Sequence, residues 1–429
     1  MYGREKLEAI VARHPDSFPA VKLLENFQYF IGLRDAIGGK WIHGWGSYLF
    51  DGITYAYNER CLRKQEELYR YSMSATNALE IGVYTGHSLL LMLIANPTLR
   101  ITAVDIDDSI AGPAVAYLNS IFGDRIHFIK GDAVETMRSL PVESFDMVHI
   151  DADHIDSAVT AQFFASLPLA KKGATVVFDD YDAVIKSIHS FMDNGYLQHV
   201  ITPNCLWRNC VTRLIAKTKE EALLNLSKKY SCCSEDRLNF NVFAVKDVNR
   251  RAVEGDIVEV GVYKGGSMLA MILTDDAASC RKFYLYDTFA GMTAPGDHDR
   301  DLNDYSAATL MERHEAVKCI SNLEEVKGNI ERHTSEAQRT HINYVVGDIC
   351  KNTTYPEKIA VLRLDTDFYD STAFELTYFY PLVSRGGYVI IDDYGHWKGC
   401  KKAVDEFLAS HPDIKLHKID YTGVYLIKS

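Results

Sequence analysis

Apolar and polar positions follow two alternating patterns along most of this chain. Short continuous apolar runs, which are typical of buried strands, alternate with stretches such as Ser88–Ala95 and Ser157–Leu167, where apolar residues recur at helical spacing. This alternation predicts a mostly parallel sheet with helices on both faces. The first set of predicted strands is Ala78–Val83, Ile101–Asp105, Ile126–Lys130, Met147–Ile150 and Thr175–Phe178.

The same pattern restarts in the second half of the chain. A final pair of apolar runs, Lys415–Ile419 and Val424–Lys428, predicts an antiparallel hairpin that closes the sheet. A repeat of this length implies two folded copies of one α/β architecture. The second set of predicted strands is Ile257–Val260, Lys282–Tyr286, Ile342–Val346, Ile359–Leu364 and Tyr388–Ile391.

The repeat divides the chain into three predicted segments. We expect an N-terminal helical segment at 1–74, a first domain at 75–235 and a second domain at 236–429. The helical segment is expected to cover the first domain or to form a subunit contact. Between residues 291 and 339 the second copy carries an extra polar stretch, which predicts a substrate lid over the carboxyl end of its sheet.

Composition narrows the class of protein. With 429 residues, 47% hydrophobic and 24% charged, the chain is typical of soluble globular proteins. Its net charge of -12 argues against a nucleic-acid partner, because phosphate binding favours a basic face. No apolar run reaches the roughly 20 residues that span a bilayer, and the N-terminus lacks the apolar core of a signal peptide. The nine cysteines include no C-x-x-C pair, so we expect reduced thiols in a cytoplasmic protein, with a homo-oligomer as a common default.

Each copy begins with a strand that carries an acid and runs into a glycine turn. The acid is Glu80 in the first copy and Glu259 in the second, and two glycines four residues apart follow it. Neither copy has the G-x-G-x-x-G fingerprint of dinucleotide binding, which argues against a dehydrogenase. A leading carboxylate would repel a pyrophosphate but suits a cationic ligand, such as an aminocarboxypropyl group on a sulfonium.

Acids that end the next two strands complete the candidate cofactor site. Asp105 and Asp287 are placed to accept hydrogen bonds from ribose hydroxyls, and Asp132 and Asp348 to meet an adenine amino group. Turn capping is the alternative for all four. The candidate cofactor residues are Glu80, Gly82, Tyr84, Gly86, Ser88, Asp105, Asp132, Glu259, Gly261, Tyr263, Gly265, Ser267, Asp287 and Asp348.

These landmarks resemble the class I S-adenosylmethionine-dependent methyltransferases. Residues from about 240 to 429 are similar to the macrocin O-methyltransferase family, which methylates sugar hydroxyls on glycosylated natural products. The first copy is similar to small cation-dependent O-methyltransferases through His149–His154 and Asp179-Asp180. The resemblance implies two Rossmann-like domains with seven-stranded sheets, S-adenosylmethionine as cofactor and a sugar as acceptor. The segments of the second copy that carry it are 255–267, 286–292, 362–372 and 386–395.

The candidate catalytic residues of the second copy are mainly aspartates. Asp365, Asp392 and Asp393 follow two neighbouring strands, so their carboxylates can converge on a hard ion such as Mg²⁺. Asp367 lies two residues beyond Asp365, and we expect its side chain to be near that of Asp365 but to point in a different direction. The family resemblance implies that the first three bind metal and that Asp367 takes the proton of the acceptor hydroxyl. His396 is an alternative base or substrate contact.

The first copy repeats this arrangement. Asp151, Asp179 and Asp180 are its candidate metal ligands, and Asp153 or His154 is its candidate base. We therefore hypothesise a tandem metal-dependent sugar O-methyltransferase whose domains methylate two different hydroxyls of a glycan or glycoside. A phenolic or catechol acceptor is one alternative. A single catalytic second domain beside a structural or dimerisation domain is another.

Tryptophans are the remaining candidates for contact with a sugar. Trp41, Trp45 and Trp207 could form a sugar-stacking platform, but buried aromatic packing is the favoured interpretation.

Overall fold

The computed structural model of the protein describes residues 2–16, 18–38, 62–201, 209–275 and 280–429. The chain forms two compact units, unit 1 (Met1–Ala222) and unit 2 (Leu223–Ser429). The division falls inside helix α10 (Lys219–Lys228), within the connection between the two repeats. None of the helices in the described ranges is long and apolar enough to cross a membrane.

Unit 1 contains a seven-stranded sheet with the order β3-β2-β1-β4-β5-β7-β6. Strand β7 runs antiparallel to its neighbours β5 and β6, and the other pairs are parallel. The strands are β1 (Asn77–Ile81), β2 (Arg100–Asp105), β3 (Ile126–Lys130), β4 (Phe145–Ile150), β5 (Ala170–Phe178), β6 (Leu197–Ile201) and β7 (Cys210–Leu214).

The helices of unit 1 cover this sheet. Leu7, Phe30 and Leu33 of the first helices share one buried cluster with Leu90 and Ala103, so the N-terminal helices pack against the sheet. The described helices are α1 (Tyr2–Arg13), α2 (Phe18–Glu25), α3 (Phe27–Ala36), α4 (Leu62–Ser72), α5 (His87–Ala95), α6 (Asp108–Phe122), α7 (Ala133–Met137), α8 (Asp156–Ser166) and α9 (Tyr181–Asp193).

Unit 2 repeats the topology with the strand order β10-β9-β8-β11-β12-β14-β13. Strand β14 is antiparallel to both β12 and β13, so the predicted closing hairpin and the predicted two-domain α/β fold are confirmed. The strands are β8 (Asp256–Val260), β9 (Phe283–Asp287), β10 (Ile342–Val346), β11 (Ile359–Leu364), β12 (Val383–Ile391), β13 (His417–Lys418) and β14 (Val424–Ile427).

The helices of unit 2 include four short elements between residues 307 and 339, where the sequence suggested only a polar stretch. Val326 and Ile330 of α14 are fully buried, because they lie one helical turn apart on the face that packs into the core. The helices are α11 (Glu235–Arg250), α12 (Gly266–Thr274), α13 (Ala307–Arg313), α14 (Leu323–Glu331), α15 (Glu336–Arg339), α16 (Tyr369–Tyr378) and α17 (Lys398–Ala409), with 3₁₀ turns at Glu315–Lys318, Ile349–Lys351 and Tyr380–Leu382.

The strand order fixes where a ligand can bind. In each unit the chain winds outward from the first strand to one side and from the fourth strand to the other, so the order reverses between these two strands. Ligands of such sheets bind in the crevice at the carboxyl ends of the strands beside this reversal. Here that crevice lies at the ends of β1 and β4 in unit 1, and of β8 and β11 in unit 2.

Candidate functional site

A glycine turn opens each crevice. Gly82 and Gly261, which follow β1 and β8, have φ angles of +94° and +82°. A Cβ atom at Gly82 would lie 2.5 Å from the carbonyl oxygen of Asp151, and one at Gly261 would overlap the carbonyl oxygen of Asp365. Only glycine therefore lets the two central strands end this close together.

The acids that end β2 and β9 hold this turn in place. Asp105 Oδ2 accepts hydrogen bonds from the N–H groups of Val83 (2.8 Å) and Tyr84 (2.9 Å). Asp287 Oδ2 accepts the matching pair, from Val262 at 2.8 Å and from the next residue at 3.2 Å. Both aspartates also line the cavity of their unit, so they shape the turn from a position at which a bound ligand can reach them.

The leading acids lie behind the cavities rather than in them. Glu80 is fully buried, and its Oε2 lies 2.7 Å from His149 Nδ1. Glu259 is also fully buried, and its Oε1 accepts a 2.7 Å hydrogen bond from Arg363. Burial raises the pKa of Glu259 to about 8, although Arg363 opposes the shift. These carboxylates support the strand ends and do not line either cavity among the described residues.

The cavity of unit 1 has a volume of about 560 Å³, and that of unit 2 about 260 Å³. Most of the predicted residues line them, whereas Gly86, Gly265 and Asp348 are not among the described lining residues. The predicted residues in the first lining are Gly82, Tyr84, Ser88, Asp105, Asp132, Asp151, Asp153 and His154. Those in the second are Gly261, Tyr263, Ser267, Asp287, Asp365, Asp367, Asp392, Asp393 and His396.

Three aspartates of unit 2 converge at the cavity and form what we call the acidic cluster: Asp365, Asp367 and Asp393. Carboxylate oxygens of the three all lie within 4.8 Å of one another. Asp393 Oδ2 is buried and has no hydrogen-bond partner among the described residues. Burial raises the pKa of Asp367 to about 8, and burial together with the charge of Asp367 raises that of Asp393. A hard divalent cation fits this donor set, because its charge would offset both the burial and the mutual repulsion that raise these pKa values.

Asp392, a predicted metal ligand, lies in a different environment. Arg237 of α11 contacts its Oδ2, and Arg363 of β11 contacts its Oδ1. Arg363 also donates to Asp365 Oδ2 at 2.6 Å and to Cys233 Sγ at 2.8 Å. Although Cys233, Asp365 and Asp392 are close enough to share a metal ion, the guanidinium of Arg363 already lies among them. The geometry thus groups Asp367, rather than Asp392, with the other two carboxylates.

The matching aspartates of unit 1 contact a lysine. Lys64 of α4 is buried, and its Nζ lies 2.6 Å from Asp179 Oδ2 and 3.3 Å from Asp180 Oδ1. Burial raises the pKa of Asp179, but the charge of Lys64 and the hydrogen bonds from Asp151 and Lys64 together outweigh burial, so the net shift is downward. Burial and the charge of Asp179 raise the pKa of Asp151. His154 Nδ1 lies 3.4 Å from Asp180 Oδ2, and neither Asp179 nor Asp180 belongs to the described lining of the cavity.

Sequence reasoning missed the buried cations Lys64 and Arg363 and the half-buried Arg237. The sequence contained a signal for the burial of Arg363, because this residue interrupts an otherwise apolar run that forms a fully buried strand. A charged residue at such a position requires an oppositely charged partner. Lys64 and Arg237 both lie near the start of the helix that precedes the first strand of their unit, a correspondence that only the fold makes visible. Trp41, Trp45 and Trp207 lie outside the described residues.

Comparisons with known proteins identify relatives for both halves of the chain. Residues 216–428 match the family model of macrocin-O-methyltransferase (TylF), and residues 79–181 match a methyltransferase domain family. Demethyldecarbamoylnovobiocin O-methyltransferase of Streptomyces niveus is 39% identical over 188 residues, which cover 42% of this chain and 69% of the relative.

Two further relatives have names that state the position of methylation. Mycinamicin III 3''-O-methyltransferase of Micromonospora griseorubida is 33% identical over 199 residues, 45% of this chain and 76% of its own length. The 8-demethyl-8-(2,3-dimethoxy-alpha-L-rhamnosyl)-tetracenomycin-C 4'-O-methyltransferase of Streptomyces olivaceus is 32% identical over 196 residues, 44% of this chain and 72% of its own length.

Proposed function

This chain belongs to the macrocin O-methyltransferase family, and we propose that unit 2 methylates a sugar hydroxyl of a glycoside. The protein is an S-adenosylmethionine-dependent O-methyltransferase. Two of its relatives are named for methylation at the 3'' position of mycinamicin III and the 4' position of a rhamnosyl-tetracenomycin. The match of residues 216–428 to the macrocin-O-methyltransferase family model, together with the rhamnosyl acceptor in one relative's name, is the observation that carries the proposal.

The turn at Gly261 holds the cofactor in this proposal. Because the turn brings the backbone close to the cavity, S-adenosylmethionine can lie against the ends of β8 and β9. Tyr263, Ser267 and Asp287 line the same cavity and contribute the polar contacts that orient it. The fixed hydrogen bonds of Asp287 to the turn keep these groups in place before the cofactor binds.

The acidic cluster would hold a divalent cation such as Mg²⁺. When bound, such a cation polarises an acceptor hydroxyl and lowers its pKa, which makes oxygen a better nucleophile at neutral pH. Asp365, Asp367 and Asp393 are the ligands we propose, since their oxygens converge and one of them has no hydrogen-bond partner in the described chain. Burial raises the pKa of Asp365, and the hydrogen bond that Arg363 donates to its Oδ2 opposes this shift and fixes the carboxylate beside the cluster.

His396 then takes the proton of the acceptor hydroxyl. Its side chain lines the cavity, and its Nδ1 is buried without a hydrogen-bond partner among the described residues. An imidazole with a ring nitrogen available is suited to general-base work. Asp367 was the base predicted from the sequence, and its place in the acidic cluster favours the histidine instead.

Unit 1 is proposed as a second site for S-adenosylmethionine, acting on a different hydroxyl. The support is its equal strand order, its equivalent glycine turn and the equivalent hydrogen bonds of Asp105. The cavity is lined by Asp153, which matches Asp367 of unit 2, and by His154, which stands where unit 2 has Phe368. The different chemistry at this end of the cavity is the reason to expect a different acceptor position.

Calorimetric titration of S-adenosylmethionine, with Mg²⁺ present, tests the number of cofactor sites. We expect two sites per chain, one lost in Gly82→Val and the other in Gly261→Val. A single site lost only in Gly261→Val would make unit 1 a structural domain, and no binding at all would refute the methyltransferase assignment.

Mass spectrometry of glycoside and catechol acceptors tests the acceptor class. We expect methylated glycosides, with His396→Gln lowering the rate in unit 2 while leaving cofactor binding intact. Separate Asp153→Asn and Asp367→Asn variants should each lose a different methyl mark. Methylation confined to catechols would refute the sugar proposal, and loss of the same single mark in both variants would refute the two-position proposal.

A further inference from the structure

The paired aspartates after β5 and β12 differ between the units in their cationic partners. In both units the first aspartate of the pair contacts a basic side chain from the helix that precedes the first strand. Asp179 contacts Lys64 of α4, and Asp392 contacts Arg237 of α11. This first contact is common to both units, so it does not distinguish them.

The second aspartate of each pair does distinguish them. In unit 1 the Nζ of Lys64 also reaches Asp180, at 3.3 Å from Oδ1, and His154 Nδ1 lies 3.4 Å from the other oxygen. In unit 2 Arg237 donates to Asp420 Oδ2 at 3.0 Å instead. Asp393 keeps a buried oxygen with no hydrogen-bond partner in the described chain. The carboxylate is therefore occupied in unit 1 and available in unit 2.

The backbone adds a second difference. Asp367 has a φ of +67°, a conformation that is strained for a residue with a side chain and that accompanies its place in the acidic cluster. Its counterpart Asp153 is not among the positive-φ residues of the described chain, and in unit 1 Asp180 has a positive φ, of +44°, instead. Among the described residues, the groups of three or more ligands that could share a metal ion both lie in unit 2.

We infer that unit 1 binds no divalent cation at Asp151, Asp179 and Asp180, because the ammonium group of Lys64 already provides the positive charge there. A divalent ion coordinated by Asp180 would have to lie next to this ammonium and would be repelled by it. The predicted metal ligands of unit 1 thus do not fit a metal. Together with the proposed function, on which this consequence rests, the inference places the divalent cation in unit 2 and leaves unit 1 to act without one at these residues.

This inference concerns unit 1 and stands on its geometry, so its test separates it from the proposed metal site of unit 2. Electron paramagnetic resonance counts Mn²⁺ ions bound to the full-length chain. The wild type is expected to bind one ion per chain. The double variant Asp365→Asn/Asp393→Asn, in which unit 1 is untouched, is expected to bind none.

Replacing the lysine tests the cause directly. Adding Lys64→Gln to the double variant should create one Mn²⁺ site, which a further Asp180→Asn change should remove. Lys64→Arg keeps the charge and should create no site. Should the double variant retain one Mn²⁺ that Asp180→Asn removes, the inference is wrong, whether or not Lys64→Gln folds. A wild type that binds no Mn²⁺ would refute only the metal proposal for unit 2.

Discussion

Arg363 should be the side chain whose loss costs unit 2 most. It is fully buried and contacts the carboxylates of Glu259, Asp365 and Asp392. The Arg363→Met change replaces the guanidinium by an unbranched apolar side chain, so Glu259 and Asp365 lose their cation while Asp392 keeps its contact with Arg237. Removing one partner of a buried ion pair costs about 3–5 kcal/mol. Since domains are stable by about 5–15 kcal/mol, unit 2 should become marginal.

The loss should also depend on pH. Burial already raises the pKa of Glu259 to about 8 and that of Asp392 to about 7, although Arg363 opposes both shifts. Without Arg363 these values rise further, so the folded variant holds protons that the unfolded chain has released. Its stability therefore falls as pH rises, by up to about 1.4 kcal/mol per pH unit for each group. The deficit should be larger at about pH 8 than at about pH 6.

Urea unfolding followed by hydrogen exchange of peptides measures this loss in each unit separately. Peptides from β8 and β11 should lose protection in Arg363→Met, and those from β1 and β4 should not. The matched control is Arg250→Met, because Arg250 also pairs with an aspartate in unit 2 but is 75% exposed. That change should cost at most about 1 kcal/mol. Equal losses in the two variants would refute the argument.

Three further predictions concern the turn, the fold of unit 1 and the metal. Gly261→Ala should weaken S-adenosylmethionine binding in unit 2 at least about tenfold by calorimetry, since a Cβ overlaps Asp365 and a positive φ costs about 1–2 kcal/mol. The control variant Gly328→Ala places its Cβ in open space on α14 and should bind S-adenosylmethionine normally. Equal affinities of the two variants for the cofactor would contradict this account. Burial lowers the pKa of His87 to about 3. As pH falls below about 6.5, the histidine takes up a proton in the unfolded chain but not in the folded one, so unit 1 loses stability. Urea titrations at several pH values should show a flatter dependence of stability on pH in His87→Leu. Because the pKa of Asp367 is raised to about 8, protons compete with the cation, and Mn²⁺ affinity should rise between about pH 6 and about pH 8, whereas a flat profile would argue against the acidic cluster as the site.

Much of the fold could be predicted from the sequence, because parallel strands buried on both faces leave an unmistakable apolar pattern. The predicted strand Ile359–Leu364 coincides with β11, and the closing strand Val424–Ile427 falls within its predicted run. The run Ala78–Val83 overestimates β1, which ends at Ile81 because the backbone turns at Gly82. Helix α14 was not predicted, because its two buried residues lie in a polar segment and their burial depends on packing against the rest of unit 2.

The candidate site was predictable in part. The carboxyl ends of parallel strands meet at one edge of a sheet, so the acids after β4, β5, β11 and β12 could be expected to lie near the crevices. Their partners were not predictable, because Lys64 and Asp179 are 115 residues apart, and Arg237 and Asp392 are 155 residues apart. No local periodicity encodes a contact over such a separation.

The sequence by itself determined two copies of one α/β fold, each with a glycine turn and an identical Asp-Asp pair at the same strand end. Local patterns suffice for this, because strand burial and turn geometry depend on neighbouring residues. Only the tertiary structure decided which cation lies beside each pair. A carboxylate's chemistry depends on the charges within a few ångströms of it, and packing alone brought Lys64 to one pair and left Asp393 available in the other.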